Sequence, residues 1–215
     1  MEQLRDLGLR HSTDKVGIHT FNHRNFLDIY ERHFDHLRNE PVNIMELGIL
    51  NGSSLRVWKD YFEKGNVVGV DIDPARKVHE QDRVKVYIGS QDSLELSKQI
   101  QSDYSQGFDI IIDDASHINS LTFRSFNLYF PQVKPGGYYV IEDTHCTYGD
   151  KFQPEFDKYA KDWPGMNYNT GTDFKNHRGD FDLFLLSKIE DLDRHKGEIY
   201  SIHVYCETIV IEKTI

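Results

Sequence analysis

The sequence predicts one α/β domain, built on a doubly wound, seven-stranded and mostly parallel sheet that ends in an antiparallel hairpin. Short apolar runs alternate with amphipathic helical segments from residue 42 onward. Strands this apolar are buried on both faces, which is typical of a parallel sheet covered by helices. Residues 198–215 break the alternation with two adjacent strand patterns, as expected for a closing hairpin.

Each element follows from its local pattern. A first helix is expected within residues 20–38, where apolar residues recur at helical spacing. The predicted parallel strands are 42–49, 66–72, 84–89, 108–113 and 137–143, and the later helices are 53–64, 93–102, 118–130 and 181–192. Within the single domain 1–215, residues 1–40 are expected to form a helical cover. Residues 144–180 are expected to form a substrate-binding insertion, because a long connection inside a domain is often a lid or a binding loop.

Composition excludes several classes of partner. The chain has 35 acidic against 25 basic residues and a formal net charge of −10, which disfavours nucleic acid and anionic membranes. No apolar run approaches the ~20 residues that a membrane span needs. Cys146 and Cys206 show neither metal-ligand spacing nor a disulfide framework. A cytoplasmic protein is the expectation.

The turn after the first strand has the composition of a cofactor-binding turn. It contains Glu46, Gly48, Asn51, Gly52 and Ser53. Glycines at the carboxyl end of a strand allow a tight turn and a close approach to a ligand. The spacing E-x-G-x-x-x-G differs from the G-x-G-x-x-G of dinucleotide enzymes, and no P-loop lysine follows. Taken alone, such a turn is also compatible with a purely structural role.

The next two strand ends favour a nucleoside-bearing ligand. Asp71 ends the second strand about 20 residues after the glycine turn, a position suited to ribose hydroxyls. Ser90 and Gln91 follow the third strand, where an adenine could lie. Three consecutive strand ends of this kind favour S-adenosylmethionine as the cofactor.

Acidic residues end the fourth and fifth strands, which are neighbours in such a sheet. Asp114, Glu142 and Asp143 would lie close together, and like charges at short range need protons or a cation. Oxygen ligands without cysteine favour Mg²⁺, with Mn²⁺ or Ca²⁺ as alternatives. His117 follows Asp114 by three residues and is a candidate general base and catalytic residue together with Asp114. Asp113 is left out of the metal set and is grouped with the cofactor-binding residues.

The motifs ELGILNGSSL, VVGVDID, IIDDASH, PGGYYVIEDT and the closing SIHVY…IVIEK resemble those of the metal-dependent sugar O-methyltransferases of natural-product biosynthesis. The mycinamicin and tetracenomycin-rhamnose O-methyltransferases represent this family, and the macrocin and novobiocin enzymes and the cephalosporin hydroxylase-like group are related to it. The resemblance covers nearly the whole chain, including HSTDK near its start. It implies a Rossmann-like class I methyltransferase fold, for which five βα units and a final hairpin are also the expected order.

The resemblance also assigns roles to residues. It implies that Asp114, Glu142 and Asp143 hold Mg²⁺ and that His117 is the base. Cofactor roles fall on residues 46–52, Asp71, Ser90 and Gln91, while Lys15 and His19 match an N-terminal segment that covers the active site. We place Lys15 with the cofactor-binding residues and His19 with the substrate-binding residues. The larger members have an extra N-terminal domain that is lacking here, so a homo-oligomer is left open.

The implied reaction is transfer of a methyl group from S-adenosylmethionine to a hydroxyl of a sugar, a glycosylated natural product or a polysaccharide. The expected partner is a small-molecule sugar or glycoside acceptor, with no nucleic acid and no membrane. Aromatic and histidine side chains of the insertion, which are His145, Tyr148, Trp163, Tyr168 and His177, are expected to supply the sugar pocket. Alternatives are methylation of a catechol-like or other small-molecule hydroxyl, and a non-catalytic cofactor-binding regulator. Catechol enzymes are expected to have lysine where this chain has His117, and a nicotinamide enzyme would need a different glycine spacing.

Overall fold

The computed structural model describes residues 2–17, 25–151 and 176–215, and for residues 149–151 it describes the backbone alone. His19, Trp163 and Tyr168 lie outside these residues. The strands are β1 Asn43–Leu47, β2 Asn66–Asp71, β3 Val84–Ile88, β4 Phe108–Asp113, β5 Val133–Ile141, β6 Ile199–Tyr205 and β7 Thr208–Lys213. The α-helices are α1 Leu4–His11, α2 Phe26–Phe34, α3 Ser53–Tyr61, α4 Leu94–Asp103, α5 Asn119–Tyr129 and α6 Arg178–Asp193. Within the described ranges, no helix has the length and apolarity to cross a membrane.

The seven strands form one sheet in the order β3-β2-β1-β4-β5-β7-β6. Pairing is parallel from β3 to β5, whereas β7 is antiparallel to both β5 and β6. The predicted mostly parallel sheet with a C-terminal antiparallel hairpin is therefore confirmed. Because the order reverses between β1 and β4, the carboxyl ends of these two strands border a topological switch point, where ligands bind in open α/β sheets.

Helices cover both faces of the sheet, and the alternation of side chains along each strand fixes which face is which. On β1, Ile44 packs with α1, α2 and α3, whereas Met45 packs on the opposite face with α4 and α5. On β4, Ile110 and Ile112 lie on the first face and Ile111 on the second. Both faces are buried, which explains why these strands are uniformly apolar.

Several observed boundaries differ from the predicted ones. The strand β1 ends at Leu47 rather than at residue 49, and α3 ends at Tyr61 rather than at residue 64. The strand β5 begins at Val133 rather than at residue 137, because its pairing with β4 shifts register between Phe108 and Ile110, and Gly136, with φ +73°, accommodates the irregularity. The helix α6 begins at Arg178, three residues before its apolar pattern. The N-terminal cover contains a separate helix, α1, whose Leu4 and Leu7 are buried in the core.

Candidate active site

The glycine turn after β1 lies directly against the end of β4. Gly48 has φ +83°, and a Cβ atom placed on it would lie 2.2 Å from the carbonyl oxygen of Asp114. Its N–H donates to Val70 O at 2.8 Å, while Asp114 N–H donates to Leu47 O at 2.9 Å. Only glycine fits this conformation and this close approach. The structure therefore brings the predicted cofactor turn and the predicted metal ligand into backbone contact.

Side chains around this turn organise its backbone. Asp71 accepts hydrogen bonds from Ile49 N–H at 3.0 Å and from Asp73 N–H at 2.9 Å. Asn51 accepts from Ser53 N–H at 3.0 Å, and Gly52, with φ +67°, is the residue before α3. Asp71 thus positions the turn, and its side chain is partly exposed at the end of β2.

The side chains of Ser90 and Gln91, which are predicted to contact adenine, form hydrogen bonds with other residues of the protein. Ser90 Oγ donates to Asp92 at 2.6 Å. Gln91 is buried, and its amide nitrogen donates to Asp113 at 3.2 Å and to Ser125 at 2.8 Å. Its oxygen accepts from Ser116 N–H at 3.0 Å. The side chain of Gln91 therefore holds residues 113–117, the DDASH loop, in place.

Asp113 is buried behind this loop. Tyr139 donates to one oxygen at 3.2 Å and Gln91 to the other. Burial raises the pKa of Asp113 to about 7, although the neighbouring His117 acts to lower it. Asp113 connects the loop to β5 through Tyr139 and does not belong to the group of metal-capable side chains in the described residues.

Three carboxylates from three strand ends converge on Lys15, which is 3% exposed. The ammonium lies 2.6 Å from Asp114 Oδ2, 2.8 and 2.7 Å from the two oxygens of Glu142, and 3.3 Å from Glu46 Oε1. Tyr30 also donates to Glu142. The structure thus places Lys15, which was predicted to bind the cofactor, among the acidic side chains.

The carboxylates around Lys15 are buried close to one another, and this shifts the pKa values of the cluster. Burial lowers the pKa of Lys15, but Asp114, Glu142 and Glu46 together raise it well above its usual value, so the side chain is a cation. Burial, followed by the Asp114 charge, raises the pKa of Glu142. Burial also raises the pKa of Glu46, which accepts a hydrogen bond from Trp58 Nε1 at 2.6 Å. One ammonium does not balance three ionised carboxylates, so the cluster favours either protons on the buried glutamates or a further cation.

Asp114, His117 and Asp143 form a second, more accessible group. Their potential ligand atoms all lie within 4.8 Å of one another. His117 Nε2 is 3.5 Å from Asp143 Oδ2 and 3.9 Å from Asp114 Oδ1. Side-chain exposure is 18% for His117, 21% for Asp114 and 30% for Asp143, against 2% for Glu142. Two carboxylates and an imidazole are therefore partly accessible to solvent, whereas Glu142 is buried.

Two members of this group have left-handed backbone conformations. The φ angle is +55° at His117 and +53° at Asp143. Such conformations are uncommon outside glycine, although aspartate and histidine adopt them more often than other residues, and they cluster at functional sites. They turn both side chains toward each other across the ends of β4 and β5.

The oxygen-rich group fits a hard divalent cation. The carboxylates of Asp114 and Asp143 are donors that Mg²⁺ prefers, and Mg²⁺ keeps open positions for water or substrate. Glu142, the third predicted ligand, is not part of this group, and both of its oxygens accept from Lys15. No thiolate takes part in either metal-capable group found among the described side chains. The chemistry of the donor set agrees with the metal predicted from sequence.

Of the described residues predicted to bind substrate, His145 lies next to Asp143. His145 Nδ1 lies 3.3 Å from Glu207 and 3.8 Å from Asp143. Tyr148 is 40% exposed, and the guanidinium of Arg178 lies 4.7 Å from the centre of its ring. His177 is exposed at the start of α6. These side chains lie on the segments that flank residues 152–175.

Asn176 was not singled out from the sequence, yet it connects the loops of the site. Its amide donates to the carbonyl oxygens of His117 at 2.8 Å and Cys146 at 3.2 Å, and its oxygen accepts from Asn119 N–H at 2.9 Å. Tyr30 was likewise predicted only as an apolar helix position. A single asparagine in a polar segment gives no local signal of such long-range contacts.

The strand order β3-β2-β1-β4-β5-β7-β6, with β7 antiparallel, is that of the Rossmann-like class I methyltransferase fold. The chain is 40% identical over 162 residues to 8-demethyl-8-alpha-L-rhamnosyl tetracenomycin-C 2'-O-methyltransferase of Streptomyces olivaceus, covering 72% of this chain and 41% of that protein. It is 34% identical over 223 residues to demethylmacrocin O-methyltransferase of Streptomyces fradiae, covering 98% and 53%. It is 38% identical over 232 residues to mycinamicin VI 2''-O-methyltransferase of Micromonospora griseorubida, covering 98% and 52%. The chain is a homologue of these sugar O-methyltransferases, as its motifs predicted, and it spans about half of their length.

Solved structures of methyltransferases share this fold. MycE methyltransferase from the mycinamycin pathway, in complex with Mg, S-adenosylhomocysteine (SAH) and mycinamycin VI, matches with a TM-score of 0.78 and 31% identity over 99% of this chain and 54% of that chain. The SAH-bound Podospora anserina methyltransferase PaMTH1 matches at 0.60 with 15% identity, over 100% and 88%, and shows the shared fold alone. No family model matches the sequence.

Proposed function

We propose that this chain transfers a methyl group from S-adenosylmethionine to a sugar hydroxyl of a glycosylated small molecule, with a divalent cation, preferably Mg²⁺, at its site. The observation that carries the proposal is the meeting of Asp114, His117 and Asp143 beside the Gly48 turn. Support comes from homologues named as sugar O-methyltransferases and from the Mg and SAH held by MycE.

The residues around the glycine turn would hold the cofactor. The backbone from Gly48 to Gly52 offers a close approach, and Asp71 lies at the end of β2 for the ribose. We assign Gln91 and Glu46 to supporting roles, because their polar atoms already bond the DDASH loop, Trp58 and Lys15. S-adenosylmethionine supplies a methyl group already activated on a positively charged sulfur.

Asp114 and Asp143, with Glu142 next to them, would hold the cation. A divalent cation at this position would make a bound hydroxyl more acidic and fix its orientation. The accepting sugar oxygen forms the new bond to the methyl carbon, and the electrons of the broken carbon–sulfur bond remain on sulfur.

His117 takes the hydroxyl proton in this proposal. Its Nε2 points toward the two carboxylates, so the imidazolium that forms is stabilised where it arises. Histidine is the side chain that most often serves as a general acid or base in such transfers. The remaining contribution of the chain is to hold donor and acceptor in line, which is a large part of the rate enhancement in such reactions.

The proposal is tested by identifying the molecule that accepts the methyl group. Purified protein is incubated with methyl-labelled S-adenosylmethionine, MgCl₂ and a panel containing a rhamnosylated aromatic polyketide, mycinamicin VI, catechol and their unglycosylated or deoxy analogues. We expect label in a glycoside and none in its aglycone. Loss of labelling in the analogue that lacks the hydroxyl adjacent to the accepting one would support binding through two sugar oxygens.

Two outcomes contradict the proposal. Methylation of catechol in preference to every glycoside would favour the small-phenol alternative. Calorimetric binding of NAD without binding of S-adenosylmethionine would remove the methyltransferase assignment.

A further inference from the structure

Lys15 brings a fixed positive charge into the centre of the candidate site. Its ammonium contacts Asp114 at the end of β4 and Glu142 just after β5, and it also lies near Glu46 of β1. These partners are 99, 127 and 31 residues away along the chain. The three strand ends are therefore joined through one side chain.

The element that carries Lys15 is packed into the protein. Lys15 lies in the short 3₁₀ helix Asp14–Val16, in which Val16 is buried together with Leu4 and Leu7 of α1. A Cβ atom on Gly8 would lie 2.2 Å from Leu27 Cδ1 and 2.4 Å from Val16 Cγ1, so α1 sits directly on α2. Apolar packing on both sides anchors the segment, so the ammonium is not at the end of a loose chain.

Lys15 and the accessible group use opposite oxygens of Asp114. The ammonium lies on Oδ2 at 2.6 Å, whereas Oδ1 faces His117 Nε2 at 3.9 Å. One carboxylate can therefore hold the lysine on its buried side and a divalent cation on its accessible side. The remaining oxygen of Glu46, Oε2, accepts from Trp58 Nε1, so both oxygens of this carboxylate have partners.

We propose that Lys15 is a positioning residue for the metal site: a permanent, chain-supplied cation that orients Asp114 and Glu142 and stays in place when the divalent ion binds. This inference rests on the metal site in the proposed function. In the competing model, the Lys15 ammonium occupies the cation position only in the metal-free protein and is displaced when the divalent ion binds. In the permanent model the N-terminal segment is an integral part of the active site.

Acetylation of lysines in the wild-type protein separates the two models. Acetic anhydride is applied in EDTA and in saturating MgCl₂, and modification is read by peptide mass spectrometry with exposed Lys98 on α4 as internal reference. We expect Lys15 to react at least ~10²-fold more slowly than Lys98 in both conditions, because buried groups react only through opening. A Mg²⁺-induced rise of Lys15 to within ~10-fold of Lys98 would overturn the proposal, since opening would then be easy.

Two substitutions test the positioning itself. Lys15→Met leaves buried carboxylates without their cation, and its Tm in EDTA should fall by about 10 °C. Lys15→Arg keeps the charge but replaces a compact ammonium by a planar fork that does not fit three carboxylates in the same way. We expect it to weaken Mg²⁺ binding in calorimetry by about 10-fold, the scale for partners that orient metal ligands.

The controls and refuting results are distinct from those of the proposed function. Lys98→Met and Lys98→Arg should change neither Tm nor Mg²⁺ affinity. Unchanged or tighter Mg²⁺ binding by Lys15→Arg would contradict a positioning role while leaving the methyltransferase proposal intact. Absence of Mg²⁺ binding by the wild-type protein would overturn the proposed metal site and this inference with it.

Discussion

Replacing Gly48 by alanine tests whether the cofactor turn and the metal site are mechanically one unit. The change adds a single methyl group at φ +83°, where it would lie 2.2 Å from Asp114 O and 2.6 Å from Ala115 Cα. Both neighbours belong to the backbone, so no side chain can rotate away. The DDASH loop must move away from the end of β1.

The expected magnitude combines two costs. A left-handed conformation costs an alanine about 1–2 kcal/mol relative to glycine. Overpacking against the neighbouring backbone adds about 1–3 kcal/mol, which brings the total to about 2–5 kcal/mol. For a chain of this size the Tm should fall by about 10 °C. Because Asp114 is the residue displaced, binding of both S-adenosylmethionine and Mg²⁺ should weaken by about 10-fold or more.

Thermal unfolding and calorimetry with each ligand measure these effects. Gly179→Ala is the matched control, because Gly179 lies in α6 and a Cβ atom there meets no atom within 4 Å. Alanine at this helical position should raise stability by about 0.5–1 kcal/mol and leave ligand binding unchanged. A Gly48→Ala protein with the wild-type Tm and wild-type affinity for both ligands would refute the coupling of the two sites.

Three further predictions concern the chemistry and the pH response. His117→Ala should lower turnover by ~10²-fold or more, the scale of general-base catalysis, while S-adenosylmethionine still binds in calorimetry; an unchanged rate would give His117 a structural role. EDTA should abolish turnover and restoration of Mg²⁺ should recover it, with cofactor binding retained throughout; full activity without metal would remove the cation from the proposal. Burial, followed by the His203 charge, lowers the pKa of His33 to about 4, so the folded protein resists protonation of this side chain. Stability should therefore be complete above pH 6.5 and decline as pH falls toward 4, by about 1–2 kcal/mol after allowance for the partial exposure of His33; a His33→Gln protein with the same acid-side decline in Tm as wild type would contradict this assignment.

Local patterns predicted most of the fold. The runs at 66–72 and 108–113 correspond to β2 and β4, with boundaries shifted by at most one residue. Short, uniformly apolar segments bounded by turn residues are typical of strands that are buried on both faces. The beginning of β5 was predicted four residues late, since Lys134 to Gly137 contain no apolar run and join the strand only through the irregular register with β4. The helix α1 was covered only by the general expectation for residues 1–40.

The candidate site was predicted in part. The chemistry of Asp114, His117 and Asp143 follows from two strand ends that any such sheet places side by side. No local pattern identifies the partners of the polar atoms of Gln91, which bond Asp113, Ser125 and Ser116. In the sequence, a glutamine that bonds other protein groups cannot be distinguished from one that contacts adenine, because each is a single polar residue after a strand.

By itself the sequence determined the fold class and the glycine turn, because apolar runs, helical spacing and glycines are local patterns. It also predicted that Asp114 and Asp143 lie near each other, because in this fold class they follow neighbouring strands. Only the tertiary structure decided that Lys15 lies among Glu46, Asp114 and Glu142, and that Tyr30 donates to Glu142. The physical reason is distance along the chain: the burial that makes one ammonium the partner of three carboxylates exists only after the N-terminal segment packs against the sheet.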